Sequence, residues 1–275
     1  MKIIESYAKN ITPSSYDINE VYKFIEQTSR TCYKSEEGLS NNSLAFVGKL
    51  IQRQHLAMLE HGTIYLYATD TAGKELYDKY INNPYSKVYN IQSVCSLGDT
   101  PEIDTYITTN YRVIVENGWE QDLKYICEPD LLHDKRFTFK IVCSRAIAQE
   151  ITRHRVFSFA MESQRYCNYS KDKFDNSITF IGPEWIHESE LNKEIFEQSC
   201  ANAEKEYFTL LNNGLTPQLA REILPNCTKT ELVVTGFKDD WEHFLKLRYF
   251  GLTGVPHPEM YKPAKEIYKS LNIIF

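Results

Sequence analysis

The chain has 275 residues, of which 42% are hydrophobic and 25% charged, and its 37 acidic against 31 basic side chains give a net charge of −6. This composition argues against a disordered chain, and the acidic balance argues against a general binder of nucleic acid or of anionic membranes. No apolar run reaches the roughly 18 residues of a membrane span, the first residues lack a signal-peptide pattern, and the scattered cysteines and histidines lack metal-site spacing. We therefore expect a cytoplasmic protein without a metal.

Helical and strand periodicities alternate along the first half of the chain. In chain order they predict a helix over 16–33, a helix from an Asn42 or Ser43 cap through Ile51, a strand over 63–68, a helix and loop over 70–104, and strands over 106–115 and 137–143. The last of these strands places alternate apolar residues on one face.

The second half is richer in helical patterns. It predicts a helix over 144–151, an irregular segment over 156–175, a strand over 179–181, a helix over 188–213, a short helix from Thr216 to Pro225, a strand over 232–234, and a helix capped by Asp240 that ends by Gly251. The long helix over 188–213 has Ile195, Phe196, Cys200 and Tyr207 on its apolar side.

Arginine is concentrated in one short stretch. Arg153, Arg155 and Arg165 lie within 13 residues of a chain that otherwise favours lysine. A guanidinium offers a planar fork that matches two phosphate oxygens, so this stretch suits a nucleotide or dinucleotide phosphate. The alternative, a solvated turn in which Glu150 and Glu162 neutralise the arginines, is equally compatible with the composition.

The same stretch carries a spaced motif. Arg153-His154-Arg155, seven residues and then Ser163-Gln164-Arg165 resemble the signature of the flavin-dependent thymidylate synthases, the ThyX family. His55 through His61 resembles the family's H-x-x-x-x-E-H segment, Ala220 through Pro225 its A-R-x-x-L-P segment, and Trp241 through Arg248 its late helix. The resemblance covers roughly 39–70 and 137–260.

The resemblance implies an architecture. We expect an α/β fold of the α+β type, in which a twisted, mixed or antiparallel sheet is flanked by helices as in the ThyX family. Residues 1–275 would form a single catalytic domain, with residues 71–135 as an insertion within it.

The resemblance also implies a reaction, the reductive methylation of dUMP to dTMP. The carbon donor would be 5,10-methylenetetrahydrofolate, and the reductant would be FADH2, which NADPH regenerates. The flavin would mediate the transfer of the carbon and of the hydride, while the protein would position the reactants. The partners would be dUMP and folate, and the protein would form a homotetramer with active sites shared between subunits, without nucleic acid or membrane.

When the positions are matched one by one, the resemblance implies a catalytic residue, a set of dUMP contacts and a set of FAD contacts. The catalytic residue would be Arg248, whose permanent charge suits stabilisation of a polarised uracil. The dUMP contacts would be Glu150, Arg153, Met161, Glu162, Ser163, Gln164, Arg165, Arg221 and Arg248. The FAD contacts would be Ala57, Glu60, Arg153, His154, Arg155 and His243.

Some positions depart from the family's pattern and keep other functions open. Ala57 replaces a Ser or Thr, and Phe237 and Asp239 replace a frequent Asn and Arg. One alternative is therefore a non-catalytic nucleotide-phosphate-binding protein that has lost FAD. Another is a phosphotransfer or hydrolytic enzyme with His154 as acid or base. In the purely structural interpretation, Arg248 pairs with Glu242 on its own helix or with a carbonyl at the C-terminal end of that helix.

Overall fold

The computed structural model describes residues 1–35, 38–40, 42–93, 102–171 and 174–272, so residues 94–101 of the predicted loop lie outside it. The strands are β1 (Lys2–Ile4), β2 (Tyr7–Asn10), β3 (Thr63–Thr69), β4 (Lys87–Ser93), β5 (Glu102–Asn110), β6 (Arg136–Ser144), β7 (Ser158–Met161), β8 (Thr179–Ile181) and β9 (Lys229–Phe237). The helices are α1 (Ile18–Thr31), α2 (Ser43–Gln52), α3 (Asp70–Tyr80), α4 (Tyr111–Asn117), α5 (Arg145–Ile151), α6 (Glu190–Asn212), α7 (Pro217–Ala220), α8 (Lys238–Arg248) and α9 (Pro258–Leu271). None of these helices is long and apolar enough to cross a membrane.

The sheet behind the candidate site has the strand order β2-β6-β9-β7, and all its pairs are antiparallel. Phe139, Ile141 and Cys143 alternate along β6 and enter one buried core, as predicted. Trp241 and Phe244 of α8 pack into the same core, together with side chains of α5 and α9. The structure confirms the predicted α/β fold of the α+β type, and it holds α5 and α8 against one face of this sheet.

A second antiparallel sheet has the order β3-β5-β4. Ile64, Leu66 and Ile107 on one of its faces form a separate core with Ile25 of α1 and Leu76 of α3. Strands β4 and β5 belong to the predicted insertion at 71–135, and they extend a sheet that β3 begins before it. The single domain and the insertion stay predictions.

A third core lies around the parallel pair of β1 and β8. Phe196, Cys200 and Tyr207 of α6 pack there against Phe180 of β8. Ile195, predicted on the same side of the helix, is 56% exposed. It lies outside the narrow stripe formed by residues 196, 200 and 207, so the predicted apolar side is too wide at this position.

Three strand predictions need correction. The predicted strand over 106–115 ends at Asn110, whose side chain accepts a hydrogen bond from the Val113 amide and caps α4, so residues 111–115 are helical. Strand β4 lies in the region predicted as helix and loop, and β7 lies in the segment predicted as irregular. Both are held by pairing, β4 with β5 and β7 with β9, which a local sequence pattern does not reveal.

The start of α8 also differs from its prediction. Asp240 is the third helical residue instead of the cap, and its carboxylate accepts a hydrogen bond from the Phe237 amide at 3.1 Å. An acidic residue in the first turn still stabilises the helix, because it faces unpaired amides and the positive end of the helix dipole.

Candidate active site

Arg248, at the end of α8, forms three hydrogen bonds to the end of α5 and the turn after it. Its Nη1 donates to Glu150 Oε2 at 2.6 Å, its Nη2 to the Glu150 carbonyl at 3.1 Å, and its Nε to His154 Nε2 at 3.1 Å. Arg248 thus pairs with Glu150, whereas the nearest cation recorded for Glu242 is Lys238, at 3.9 Å. The structure brings together Arg248 and Glu150 of the predicted dUMP set and His154 of the predicted FAD set.

His154 is a neutral support in this cluster. Arg248 can only donate, so Nε2 of His154 accepts and the ring proton is on Nδ1. Burial, and then the positive charge of Arg248, lower the pKa of His154 to about 4. The ring packs 5.0 Å from that of Phe244. A histidine that is neutral at pH 7 and hydrogen-bonded in this way positions Arg248, and it is a poor proton donor at that pH.

A cavity of about 280 Å³ opens along another side of α5. We call it the Ser163 cavity; its lining residues are Arg145, Ala148, Gln149, Thr152, Met161, Glu162, Ser163, Gln164, Arg221 and Thr230. Five predicted dUMP residues are among them, namely Met161, Glu162, Ser163, Gln164 and Arg221.

The Ser163 cavity offers unpaired polar groups. Neither Arg145 nor Arg221 has an ion pair within the described residues. Gln164 is only 5% exposed, and neither its amide atoms nor the buried Thr230 hydroxyl has a hydrogen-bond partner in that part of the chain. Two uncompensated guanidinium groups beside unpaired amide and hydroxyl groups suit a phosphorylated ligand.

The Glu162 carboxylate is bound by a lysine in the wall of the Ser163 cavity. It is buried and lies 2.7 Å from Lys229 Nζ, which also contacts Glu231 at 2.5 Å. Although burial opposes ionisation of Glu231, the charges of Lys229, Lys34 and Lys140 lower its pKa to about 2. This network of charges stabilises the wall of the Ser163 cavity, and the contact of Glu162 with dUMP stays a prediction.

Two predicted arginines are not brought into the Ser163 cavity. Arg165 is exposed, its Nε donates to Gln218 Oε1 at 2.7 Å, and its guanidinium lies 5.2 Å from the Tyr166 ring centre. Arg153 is also exposed. The arginine-rich stretch therefore spreads its side chains in different directions.

A second cavity, of about 400 Å³, lies between β4, β9 and the turn after α5. We call it the Arg136 cavity; its lining includes Glu60, Lys87, Arg136, Arg155, Phe237 and Asp240. It brings together the predicted FAD residues Glu60 and Arg155. The Glu60 carboxylate is 2.6 Å from Arg112 Nη1.

The remaining predicted FAD residues lie elsewhere. Ala57 lines a separate cavity of about 540 Å³ beside α2, with Arg30, Phe46 and Arg53. His243 is exposed on α8 and does not line the Arg136 cavity. The three residues at 57, 60 and 243 are thus distributed over different surfaces of this chain.

Sequence reasoning missed several lining residues. Arg145 and Gln149 of α5 and Thr152, the residue after its end, line the Ser163 cavity and are spaced by four and three residues, a helical spacing that identifies one face. Arg136 and Lys87 of the other cavity gave no local signal, because they come from strands β6 and β4 of two different sheets. Among the described residues, no group of three or more His, Cys, Asp or Glu side chains is placed to hold a metal.

Comparisons with known proteins agree with the motif. The family model described as "Thymidylate synthase complementing protein" matches residues 131–275. The flavin-dependent thymidylate synthase of Geobacter sulfurreducens is 34% identical over 122 residues, which is 43% of this chain and 50% of the relative. That of Pyrococcus furiosus is 32% identical over 145 residues, 51% of this chain and 59% of the relative. The matches thus span about half the length of these curated relatives.

Among solved structures, the UMP/dUMP methylase PolB from Streptomyces cacaoi, bound with 5-Br dUMP, aligns with 98% of this chain and 91% of its own. The TM-score is 0.48 and the sequence identity 14%. The sequence comparisons confirm the resemblance carried by residues 153–165, and the chain belongs to the family of thymidylate synthase complementing proteins.

Proposed function

We propose that this chain is a flavin-dependent thymidylate synthase that converts dUMP to dTMP. The hydrogen-bonded cluster of Arg248, Glu150 and His154 carries the proposal, because α5, the turn after it and α8 meet there in the combination that the motif implies. The names of the curated relatives support the same reaction.

The Ser163 cavity is the proposed dUMP site. Arg145 and Arg221 supply two guanidinium groups that no carboxylate of the described residues pairs with, and Ser163 adds a hydroxyl donor. Charge-assisted hydrogen bonds from such groups are about twice as strong as neutral ones, so the phosphate is the natural anchor. Arg153 and Arg165 remain proposed contacts from the rim or toward a neighbouring subunit.

Arg248 is the proposed catalytic residue. A guanidinium has five N–H donors, and three of those of Arg248 are used by Glu150 and His154. One N–H on each terminal nitrogen stays available for a uracil carbonyl. The cluster holds these donors in place before the substrate arrives, which is how an enzyme stabilises charge that develops on an oxygen.

The Arg136 cavity fits an anionic cofactor such as FAD, because the guanidinium of Arg136 is buried there without a carboxylate partner in the described residues. Glu60 and Arg155 would hold FAD there, with Ala57, His154, Arg153 and His243 as further proposed contacts. When bound, the reduced flavin would supply the hydride, with NADPH as its reductant and 5,10-methylenetetrahydrofolate as carbon donor.

We also propose a cytoplasmic homotetramer with shared active sites. Exposed Arg153 supports shared sites, because it is part of the motif and yet lines neither cavity of its own chain.

A second candidate is a nucleotide-binding protein without flavin. The Phe237 ring lines the Arg136 cavity where the family often has an Asn, and Asp239 places a carboxylate beside Lys87. Both changes oppose the binding of a cofactor phosphate by the usual residues.

One experiment separates the two. Purified protein is scanned for flavin absorbance before and after addition of FAD, and tritium release from ring-labelled dUMP is then measured with folate and NADPH. Flavin absorbance and folate-dependent release support the synthase. Binding of dUMP by a colourless protein that releases no tritium contradicts it and favours the second candidate.

A further inference from the structure

Arg136 is a buried cation that forms no ion pair with the described residues. It is 5% exposed, and its Nη1 donates only to neutral acceptors, the Glu60 carbonyl at 3.0 Å and the Thr63 hydroxyl at 3.2 Å. Its Nε has no hydrogen-bond partner, and its guanidinium lies 5.5 Å from the Phe237 ring centre. No carboxylate within the described residues forms an ion pair with it.

Such a group needs a physical reason to persist. Removing an ion from water costs several kcal/mol unless a partner charge compensates. Burial lowers the pKa of Arg136 to about 10, so the side chain is still a cation at neutral pH. The charge therefore remains inside the wall of a cavity of about 400 Å³, where a bound anion would compensate it.

Two further cations converge on the same cavity. Arg155 lines it and has no ion pair within the described part of the chain. Lys87 comes from β4, and its Nζ lies 4.6 Å from the Phe237 ring centre, 2.6 Å from Asp239 and 3.9 Å from Asp134. Lys87 lies outside residues 131–275, so the part of the chain beyond the family match supplies this cation.

The acidic residues that line the Arg136 cavity are fewer than its cations. Glu60 is already paired with Arg112, and Asp240 accepts the Phe237 amide. Burial raises the pKa of Asp240. The lining thus holds three cations and two carboxyl groups, and Lys87 is in addition paired with Asp239.

We propose that Arg136, Lys87 and Arg155 bind the pyrophosphate bridge of a dinucleotide. A pyrophosphate bears two negative charges on adjacent groups, which three converging cations match. The inference rests on the proposed function and deepens it, since FAD and NADPH both carry this bridge. Lys87 here supplies a positive charge beside Asp239, the position where the family often has an arginine.

The test measures equilibrium binding of FAD, NADPH and riboflavin, which lacks phosphate, by flavin or nicotinamide fluorescence. Lys87→Met should weaken the dinucleotide bound here about tenfold, the effect of one charge-assisted contact, and leave riboflavin unchanged. Asp239→Asn should strengthen the same dinucleotide about threefold, because it removes a competing carboxylate. Lys238→Met, which deletes an exposed lysine next to Asp239 but outside the cavity lining, is the matched control.

The opposite signs of the two substitutions distinguish binding from structural damage. Binding of FAD or NADPH that weakens in Lys87→Met and strengthens in Asp239→Asn supports the proposal, and the responding ligand identifies the source of the pyrophosphate. If the affinities for FAD and for NADPH are both unchanged in both variants, the pyrophosphate assignment is overturned, whereas the proposed synthase function still stands. An equal loss for riboflavin and FAD overturns the assignment as well. A wild-type protein that binds neither dinucleotide overturns both.

Discussion

Arg248 and Glu150 are 98 residues apart in the chain, and Nη1 of Arg248 lies 2.6 Å from Oε2 of Glu150. A further bond from Nη2 to the Glu150 carbonyl makes the contact two-point, so the guanidinium plane is fixed against the end of α5. Since α5 also lines the Ser163 cavity, the proposed catalytic charge and the proposed phosphate site share one rigid element.

This geometry predicts that Arg248 acts on turnover. We expect Arg248→Gln to lower kcat by about 10²–10³, the usual loss of an electrostatic donor, with a smaller change in dUMP affinity. Tritium release gives kcat, and titration with dUMP gives the Kd. Lys238→Met, on the exposed side of the same helix, should leave kcat unchanged. Equal losses in kcat and affinity would assign Arg248 to uniform substrate binding.

The Ser163 cavity predicts a ranking among arginines. Arg221→Ala and Arg145→Ala should each weaken dUMP binding about tenfold or more, because each removes a charge-assisted phosphate contact. Arg165→Ala should have a smaller effect, since that side chain is held by Gln218 outside the cavity lining. Calorimetric titration measures the three affinities. Deoxyuridine, which lacks the phosphate, serves as the control ligand, and an equal loss for it would contradict the phosphate assignment.

The buried network around Lys229 predicts acid sensitivity. The pKa of Glu231 is about 2 in the folded chain, below its ordinary value of 4.5. Its contribution to stability is therefore present above about pH 4.5 and is lost as the pH falls toward 2. The free energy of unfolding, measured in urea at each pH, should decrease over that window.

Lys229→Met should weaken this effect without abolishing it, because Lys34 and Lys140 still face Glu231. At pH 7 the variant should lose about 3–5 kcal/mol of unfolding free energy, because Glu162 and Glu231 are left buried without their shared cation. The exposed pair of Lys193 and Glu190 supplies the comparison, and Lys193→Met should change the free energy of unfolding far less, because solvent screens that pair. Similar losses of unfolding free energy in Lys229→Met and Lys193→Met would mean that the buried network stabilises the fold no more than an exposed ion pair does.

Gly236 sits where β9 passes the Phe157 ring. A Cβ at this position would lie 2.2 Å from Phe157 Cδ1, and that ring is wedged 4.5 Å from Trp241. We expect Gly236→Ala to destabilise the chain by about 1–3 kcal/mol through overpacking. Gly48→Ala should instead stabilise it by about 0.5–1 kcal/mol, because α2 leaves open space there. Thermal unfolding measures both effects: Tm should fall in Gly236→Ala and rise in Gly48→Ala.

Local patterns predicted much of the fold. The apolar alternation of β6 and the helical stripes of α1 and α5 are visible in the chain, because burial on one face imposes a period of two or 3.6 residues. Strands β4 and β7 were missed because their stability comes from neighbours on β5 and β9. The motif at residues 153–165 identified the family, and it also indicated four of the residues that line the Ser163 cavity, while the segment from Ala220 to Pro225 indicated a fifth, Arg221.

The sequence by itself determined the family, because its motif has the spacing that the family needs to place the same groups. It also determined which types of side chain are present for the chemistry. Only the tertiary structure decided which of those groups meet: Arg248 reaches Glu150 and His154, Arg165 is held by Gln218, and Arg136 is buried without an ion pair to any residue that the structure describes. The reason is physical. The packing of α5, α8 and β6 determines which charged groups lie close together and which stay hydrated. No local sequence pattern encodes that packing.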